Sequence, residues 1–360
     1  MKRVIIIGGG YAGTTLARAL DASFDVVLVE PRDAFVHNVA AIRAIVDQTL
    51  ISKIILPYDR LLKRGRVVRD RVLSVAEGEV QLASGQSLSG DAIVLATGST
   101  YAQPFKPVTD LTADFRTASA STSAEVKAAK SIAIVGAGAV GVELAGEIAS
   151  TLKGKSVTLV SSTRTLFPEF PTALGASLAA QLKAMGVTVK TGVTADGVQI
   201  DRPGPGPLRL SSGETVQADL VIPAIGTRPQ AGLLASHAQA RFDRLGRCLV
   251  DGWMRPAGLK TVFAIGDMAA NGDMMTIVAS SRQAPWLAKT LVALAAGKNI
   301  EDLPAYTPWP APPILVPLGA KRGASVLPVT KAGWVTGPFL TAAIKGKSLF
   351  IPRYHKEFGL

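Results

Sequence analysis

The chain has 360 residues, of which 48% are hydrophobic and 18% are charged, and its formal net charge is +12. This composition excludes a disordered chain, and the length predicts two to three domains. The single cysteine, Cys248, excludes an intramolecular disulfide framework, a multi-cysteine metal site and a Cys-x-x-Cys redox pair. The positive balance favours anionic partners: nucleotides, nucleic acid or anionic lipid. The three histidines lie far apart in sequence, and we expect no metal site.

The first element is an apolar strand that ends in a glycine cluster and is followed by a helical pattern. Gly8, Gly10 and Gly13 fit G-x-G-x-x-G, the turn that lays a pyrophosphate on a helix N-terminus. A second apolar run, 26–29, ends at Glu30, about 20 residues further on, where a carboxylate can accept hydrogen bonds from a ribose. The pattern predicts a dinucleotide site rather than a purely structural turn.

The segment after Glu30 carries further candidates for nucleotide contact. Arg32 lies close enough in sequence to reach an adenine or a phosphate. The apolar spacing over 35–46 predicts a helix that carries Asn38 and Arg43. The residues alone leave two roles open for Arg43, a phosphate-facing cation or an ordinary surface cation.

The next two segments close the first unit. Alternating apolar residues over 66–82 predict a β-hairpin or meander. A buried strand over 92–97 ends at Gly98, and a strand that ends in Ala-Thr-Gly is typical of flavoproteins with two dinucleotide sites. The Pro-, Ser- and Thr-rich stretch 104–122 then predicts a linker.

The opening pattern repeats beyond this stretch. A strand over 131–135 leads into Gly136, Gly138 and Gly141, a second complete G-x-G-x-x-G, and a further helical pattern. Such a repeat predicts two nucleotide sites, one for a flavin dinucleotide and one for a nicotinamide dinucleotide.

The second site differs from the first at its ribose edge. Strand 157–160 ends in Ser161-Ser162-Thr163-Arg164, without an acid. An acid there favours NAD, whereas Ser and Arg tolerate a 2′-phosphate. We therefore expect NADPH to be accepted alongside NADH, the alternative being that Arg164 points into solvent.

Two later strands lead back to the first unit. The strand over 220–225 ends in Gly226, which begins a return segment. The strand before Asp267 places that carboxylate where it can accept hydrogen bonds from a ribitol chain. A helix over 277–296 follows, and its N-terminus can stabilise negative charge on a reduced flavin ring.

The last segment, 305–360, interleaves aromatic and basic residues, and Glu357 is its one acid. We expect core strands plus a helix, and a surface suited to anionic lipid. No stretch reaches ~18 uncharged apolar residues, and neither a signal peptide nor a Met-Gly start is present. The expectation is a cytoplasmic protein that contacts the inner face of a membrane peripherally.

Taken in this order, the motifs resemble the pyridine nucleotide-disulphide oxidoreductase superfamily across nearly the whole chain. The closer likeness is to apoptosis-inducing-factor-like ferroptosis suppressors and type II NADH:quinone oxidoreductases. The stretches that carry it are 8–13, 37–44, 95–100, 136–148 and 264–267.

The resemblance implies an α/β fold with two Rossmann-type dinucleotide-binding domains, each a three-layer ββα arrangement, plus a small α+β C-terminal domain. The implied boundaries are 1–110 and 229–303 for the FAD-binding domain, 111–228 for the NAD(P)H-binding domain and 304–360 for a quinone- or membrane-facing domain.

The resemblance also implies the site residues. FAD is expected at Gly8, Gly10, Tyr11, Ala12, Gly13, Glu30, Arg32, Asn38, Arg43, Val72, Ala96, Thr97, Gly98 and Asp267. NADH or NADPH is expected at Gly136, Gly138, Val140, Gly141, Arg164, Ile225 and Gly226. The expected catalytic residues are Glu143, beside the nicotinamide and flavin, and Lys345, at the flavin edge.

The implied reaction passes a hydride from NAD(P)H to flavin N5 and then two electrons to a quinone of the ubiquinone or menaquinone type. Because Cys248 stands alone, the disulfide-reductase and sulfide:quinone branches are excluded. Three alternatives stay open: a ferredoxin or rubredoxin reductase, an NADH-gated binding protein that contacts nucleic acid, and a respiratory dehydrogenase. We expect no specific nucleic-acid partner, and either a monomer or a homodimer.

Overall fold

A computed structural model describes all residues, 1–360. The helices are α1 (Tyr11–Leu20), α2 (Asn38–Ala44), α3 (Ile51–Ile54), α4 (Thr112–Ala128), α5 (Ala139–Thr151), α6 (Thr172–Ala184), α7 (Ile277–Ala295), α8 (Pro338–Thr341) and α9 (Ile351–Glu357). Short 3₁₀ turns cover Gln48–Leu50, Gly232–Leu234, Gly266–Met268 and Ile300–Asp302, and a π-helical turn covers Ala342–Gly346.

The strands are mostly short, and the long ones form the two central sheets. They are β1 (Arg3–Ile7), β2 (Asp25–Val29), β3 (Phe35–Val36), β4 (Ile55–Leu56), β5 (Arg66–Val68), β6 (Val72–Ala76), β7 (Glu79–Leu82), β8 (Ser87–Ser89), β9 (Ala92–Leu95), β10 (Ser99–Thr100), β11 (Ser131–Val135), β12 (Ser156–Val160), β13 (Val187–Lys190), β14 (Ala195–Asp196), β15 (Gly204–Pro205), β16 (Leu208–Leu210), β17 (Thr215–Val216), β18 (Leu220–Pro223), β19 (Arg228–Pro229), β20 (Cys248–Leu249), β21 (Val262–Ala264), β22 (Ala269–Ala270), β23 (Ile314–Leu318), β24 (Arg322–Leu327) and β25 (Trp334–Thr336).

The first central sheet is parallel and has the order β21-β9-β1-β2-β5. Successive side chains of a strand point to opposite faces, so β1 supplies both layers that cover it. Val4 and Ile6 pack with helices α1 and α7, whereas Ile5 and Ile7 pack against the antiparallel sheet β6-β7-β8. This is the predicted three-layer ββα unit.

The second central sheet repeats the design with the order β13-β12-β11-β18-β15, in which only β15 is antiparallel. Ile132 and Ile134 of β11 face the helices, and Ala133 and Val135 face the small antiparallel sheet β14-β16-β17. The prediction of two Rossmann-type units is therefore confirmed.

The chain crosses between the two units twice at one place, where β10 pairs with β19 in antiparallel fashion. The C-terminal segment forms the antiparallel sheet β23-β24-β25 with helices α8 and α9. Strand β23 packs so closely on α5 that a Cβ at Gly146 would lie 2.6 Å from the Leu318 Cα. On the other side, Phe358, the residue directly after α9, packs against Phe35 of the first unit with ring centroids 4.8 Å apart and the rings tilted by 34°. The C-terminal segment thus contacts both units.

The predicted linker at 104–122 is wrong, because helix α4 occupies much of it. The sequence lacks a continuous apolar stripe, so composition alone indicated a flexible segment. The buried positions nevertheless follow a helical period in which Phe115 and Val126 alternate with small residues such as Ser119 and Ser123. Small hydroxyl side chains therefore form much of the packed face.

The predicted helix over 35–46 begins later than expected. Its first two residues form strand β3, which pairs with β4, and helix α2 starts only at Asn38. Strand β4 lies outside residues 35–46, so the apolar spacing within those residues could not predict the pairing of β3 with β4. Helix α7 matches its prediction closely.

Candidate functional site

The first glycine turn connects β1 to α1 with its glycines in the expected places. Gly8 has a φ of +106°, and a Cβ there would lie 2.5 Å from the Ala96 carbonyl oxygen. A Cβ at Gly13 would lie 1.9 Å from the Gly8 oxygen, so only glycine lets α1 pack this closely. By contrast, a Cβ at Gly10 would meet no protein atom within 4 Å. The turn therefore leaves open space at the helix N-terminus, where a phosphate group fits.

Glu30 lies at the end of β2 with its side chain buried behind this turn. Its Oε2 accepts a hydrogen bond of 2.5 Å from the Gly9 backbone N–H, and its Oε1 accepts one of 2.8 Å from Arg32 Nε. Burial raises the pKa of Glu30, but the Arg32 charge and these hydrogen bonds outweigh burial and lower it. Tyr58, which sequence reasoning missed, donates to the Gly9 carbonyl oxygen at 2.9 Å.

A cleft between the two units collects many of the predicted residues. The predicted residues that line it are Gly10, Tyr11, Ala12, Arg32, Asn38, Ala96, Thr97, Gly98, Val140, Glu143, Asp267 and Lys345. The Oδ1 atom of Asn38 is buried without a hydrogen-bond partner in the chain. Unsatisfied buried acceptors are rare in folded proteins, so this atom indicates that a donor on a bound group completes the site.

Five of the predicted FAD residues do not line the cleft. Gly8 and Gly13 belong to the first glycine turn itself, and Glu30 lies behind that turn. Two others lie elsewhere. Val72 is buried in strand β6. The Arg43 side chain faces Glu147 of α5, with Nε 2.9 and 3.0 Å from its two carboxylate oxygens.

The second glycine turn reproduces the first. Gly136 has a φ of +108°, a Cβ at Gly141 would lie 1.9 Å from the Gly136 oxygen, and a Cβ at Gly138 would meet nothing within 4 Å. Ile225 packs against this turn, since its Cγ2 lies 2.5 Å from where a Gly136 Cβ would be. Gly226 follows with a φ of +86°. The turn provides the same open space at the start of α5.

The ribose edge of the second unit presents hydroxyls and one cation. The Ser161 and Thr163 hydroxyls lie 2.9 Å apart, and Arg164 is exposed without an ion pair. Lys190, at the end of the neighbouring strand β13, is paired with Glu214 at 2.7 Å. No carboxylate therefore occupies the position that Glu30 holds in the first unit.

Lys106 is a cleft residue that sequence reasoning missed. Its Nζ donates to the Ser99 Oγ at 2.7 Å and lies 3.5 Å from the Asp267 carboxylate. Burial lowers the pKa of Lys106, while the charge of Asp267 opposes that effect. Ser99 also donates to Asp267 at 2.6 Å. Lys106 lies in the segment that was predicted to be a linker, so no signal pointed to it.

The two predicted catalytic residues form a buried ion pair. The Nζ of Lys345 lies 2.6 Å from Glu143 Oε1, and it also donates to the Leu315 carbonyl oxygen at 3.0 Å. Burial raises the pKa of Glu143 to about 7, although the Lys345 charge lowers it. Lys345 lies in the π-helical turn, a distortion that is frequent at functional sites. The structure thus joins two residues that are far apart in sequence.

The wall of the cleft near this pair includes a strained turn. Leu349 and Phe350 have φ values of +51° and +62°, and Phe350 lines the cleft. His37 holds the turn, because its Nε2 lies 2.6 Å from the Leu349 carbonyl oxygen while its Nδ1 contacts the Tyr11 hydroxyl at 3.0 Å. Burial lowers the pKa of His37 to about 4, so the ring is neutral near pH 7, and its Nδ1 accepts a hydrogen bond from the Tyr11 hydroxyl while Nε2–H donates to the Leu349 oxygen.

The profile of the pyridine nucleotide-disulphide oxidoreductase family matches residues 2–284. The chain belongs to this family. This pyridine nucleotide-disulphide oxidoreductase is 32% identical over 377 aligned residues to apoptosis-inducing factor homolog B of Dictyostelium discoideum, covering 98% of this chain and 96% of that protein. It is 27% identical to ferroptosis suppressor protein 1 of Homo sapiens, covering 97% of this chain and 93% of the relative.

Solved structures share the fold at lower identity. The reductase in a covalent putidaredoxin reductase–putidaredoxin complex has a TM-score of 0.67 and 20% identity, covering 84% of this chain and 77% of that one. A ferredoxin reductase from Rhodopseudomonas palustris has a TM-score of 0.64 and 19% identity, with 85% and 78% coverage. These likenesses confirm the fold class.

Family membership makes this oxidoreductase an NAD(P)H-dependent flavoprotein with FAD and NAD(P)H as cofactors. The open glycine turns and the unsatisfied Asn38 oxygen fit such groups. Its one cysteine, Cys248, is buried, and burial raises the pKa of the thiol to about 11. No helix combines the length and the apolar character that a membrane span requires. No cluster of His, Cys, Asp and Glu side chains is arranged to hold a metal ion.

Proposed function

We propose that this flavoprotein is an NAD(P)H:quinone oxidoreductase. The observation that carries the proposal is the buried Glu143–Lys345 pair in a cleft whose wall also contains apolar side chains. We assign 1–110 and 229–303 to the FAD unit, 111–228 to the NAD(P)H unit and 304–360 to the acceptor-facing unit.

The cofactor and the residues have separate tasks in this proposal. When bound, FAD supplies the redox chemistry by accepting a hydride from the nicotinamide donor and delivering two electrons to the acceptor. Glu143, with a pKa of about 7, holds or releases a proton near neutral pH, which suits a general acid–base group. Lys345 presents an ammonium group to negative charge that develops in the cleft.

Two features of the molecule favour a quinone as the electron acceptor: its cysteine content and the apolar lining of the cleft. With one buried cysteine, the chain offers no dithiol relay, so electrons pass directly to the acceptor. The cleft is also lined by Ile42, Pro313, Ile314 and Leu315, and the Leu315 carbonyl oxygen accepts a hydrogen bond from Lys345. An apolar slot beside a cation suits a flat quinone, which is apolar as a ring and gains negative charge when reduced.

The ribose edge of the second unit favours a donor that carries a 2′-phosphate as well as one without it. Arg164 is exposed and free of any ion pair, and Ser161 and Thr163 offer hydroxyls. A ribose edge without a carboxylate does not repel a 2′-phosphate. We therefore propose that NADPH is used alongside NADH.

We also propose that the C-terminal unit lies on an anionic membrane surface. Phe339 is 85% exposed, Val329 69% and Trp334 49%, all within a short stretch of chain. The chain has no aspartate or glutamate between Leu303 and Lys356. Exposed apolar side chains among unopposed cations favour anionic lipid headgroups over water.

Anaerobic stopped-flow spectroscopy of the FAD-loaded protein tests the acceptor. The protein is reduced with NADH or NADPH and then mixed with a short-chain quinone while the flavin absorbance is followed. We expect fast reoxidation by quinone. A reduced flavin that persists in quinone but is reoxidised once a ferredoxin is added would instead identify a protein acceptor. If both acceptors leave it reduced and DNA binding depends strongly on salt, the NADH-gated binding protein would be the better assignment.

A further inference from the structure

Helix α5 carries two buried carboxylates one turn apart, and each has its own cation. Glu143 and Glu147 are both at most 3% exposed. Lys345 lies 2.6 Å from Glu143, and Arg43 Nε lies 2.9 Å from Glu147. Side chains four residues apart on a helix are neighbours, so the two ion pairs form one cluster of four charges.

The four side chains come from three different parts of the fold. Arg43 is on α2 of the first unit, the two carboxylates are on α5 of the second, and Lys345 is in the C-terminal π-helical turn. The other elements packed on α5 are β11, β12 and β23, and none carries a titratable side chain. Glu143 is therefore faced by three charged groups: Lys345, Glu147 and Arg43.

Only half of this cluster lies in the cleft. Glu143 and Lys345 line it, whereas Arg43 and Glu147 do not. Charges in a protein interior interact more strongly than charges in water, so the outer pair acts on Glu143 even without touching a ligand. Burial raises the pKa of Glu147, and its ion pair with Arg43 favours its charged form.

We propose that Arg43 and Glu147 form a positioning pair, which fixes α5 against α2 and sets the pH at which Glu143 exchanges its proton. The proposal rests on the proposed function, because it assumes that the protonation of Glu143 limits the reaction. It gives Arg43 a task that the sequence resemblance did not assign, since there Arg43 was expected to contact FAD.

The two halves of the pair act on Glu143 with opposite signs, which makes the proposal testable. Glu147→Gln removes a negative charge and leaves the Arg43 cation unpaired, so Glu143 should lose its proton more easily. Arg43→Met removes the cation and leaves a negative charge beside Glu143, so Glu143 should hold its proton more tightly. The quantity to follow is the pH midpoint, the pH at which the rate of flavin reduction is half-maximal. Each change should move this midpoint on the order of one pH unit, downward for Glu147→Gln and upward for Arg43→Met.

The measurement is the rate of flavin reduction by NADH in anaerobic stopped-flow, on FAD-loaded protein, between about pH 5 and pH 9. The double variant should return toward the wild-type midpoint. Arg116→Met and Glu79→Gln are matched controls on exposed side chains away from the cleft, and both should keep that midpoint. Structural damage slows the reaction without shifting the two midpoints in opposite directions.

Midpoints that stay unchanged, or that move in the same direction, would overturn the positioning pair. If Arg43→Met no longer retains FAD, the Glu147→Gln midpoint alone decides: a downward shift supports the pair, and an unmoved midpoint refutes it. Glu143→Gln separates this inference from the proposed function. If that variant keeps the wild-type midpoint, the acid–base role of Glu143 fails as well. If it abolishes the midpoint while Glu147→Gln leaves it unmoved, only the positioning pair fails.

Discussion

Neighbouring groups hold the carboxylate of Glu30 in a fixed position and in its charged form. Its hydrogen bonds to the Gly9 backbone and to Arg32 fix both oxygens at the end of β2. Folding lowers the pKa of Glu30, so its ionised carboxylate stabilises the folded chain at any pH above the pKa of an unfolded glutamate. This stabilisation is lost as the pH falls through the lower pKa of Glu30 in the folded chain. The charge is therefore present at neutral pH, as the proposed hydrogen bond from a ribose hydroxyl to Glu30 requires.

We predict that Glu30→Gln weakens FAD binding on the order of 10- to 100-fold, since hydrogen bonds to charged groups contribute about 1.5–3 kcal/mol. The amide also leaves the Arg32 cation without its counter-charge. Titration of apoprotein with FAD, followed by flavin fluorescence, measures the change. Glu79→Gln, an exposed glutamate on β7, is the control. A folded Glu30→Gln protein with wild-type affinity would contradict this role.

Among the helices, strands and turns, the sequence correctly predicted those whose own residues form a recognisable motif. The two G-x-G-x-x-G turns and the strands before them follow from local residue order, because the turn itself demands glycine. Gly8 and Gly136 have positive φ values, and a Cβ at Gly13 or Gly141 would lie 1.9 Å from the oxygen of the first glycine of its own turn. Helix α4 was missed because the residues on its buried face are mostly small and polar. Its burial depends on α2 and α3, which local patterns do not report.

The packing of α4 can be tested at its one large aromatic residue. Phe115 is buried in a cluster with Ile51, Ile54 and Leu349. We predict that Phe115→Ala lowers the free energy of unfolding by about 3–5 kcal/mol, the usual cost of removing a buried phenylalanine. Urea denaturation measures the loss, and Arg116→Ala, on the exposed face of the same helix, should change it little. An effect of Phe115→Ala no larger than that of Arg116→Ala would mean that α4 packs only loosely.

The candidate site shows the same division between local and long-range information. Gly10 was assigned to a nucleotide site by its local glycine motif, and the structure places it in the cleft. The Arg43–Glu147 pair and the position of Lys106 depend on how separate units pack, and no spacing in the chain encodes that packing. Lys345 was found only through resemblance, since nothing local distinguishes it from neighbouring lysines.

At the scale of the whole molecule, the C-terminal unit completes the cleft and also faces outward. It places Lys345 beside α5 of the second unit and Phe358 beside Phe35 of the first. Phe339 lies six residues before Lys345, on the short helix α8 that leads into the π-helical turn. The exposed aromatic surface is therefore connected by a few residues to Lys345 in the cleft. This connection suits an acceptor that resides in a bilayer.

The exposed apolar surface of the C-terminal unit, formed by Val329, Trp334 and Phe339, should bind anionic membranes. The FAD-loaded protein should sediment with vesicles that contain anionic phospholipid and much less with purely zwitterionic vesicles, because the cations near Phe339 lack acidic neighbours. Phe339→Ser should weaken binding several-fold, since burial of an aromatic ring in the interface is lost. Leu73→Ser, at a 61% exposed residue of the first unit, is the matched control and should bind normally.

Activity with a short-chain quinone should stay unchanged in both variants, whereas Phe339→Ser should slow the reduction of a long-chain quinone embedded in the vesicles. If Phe339→Ser sediments like the wild type, the membrane surface lies elsewhere on the protein or the cleft takes its acceptor from water.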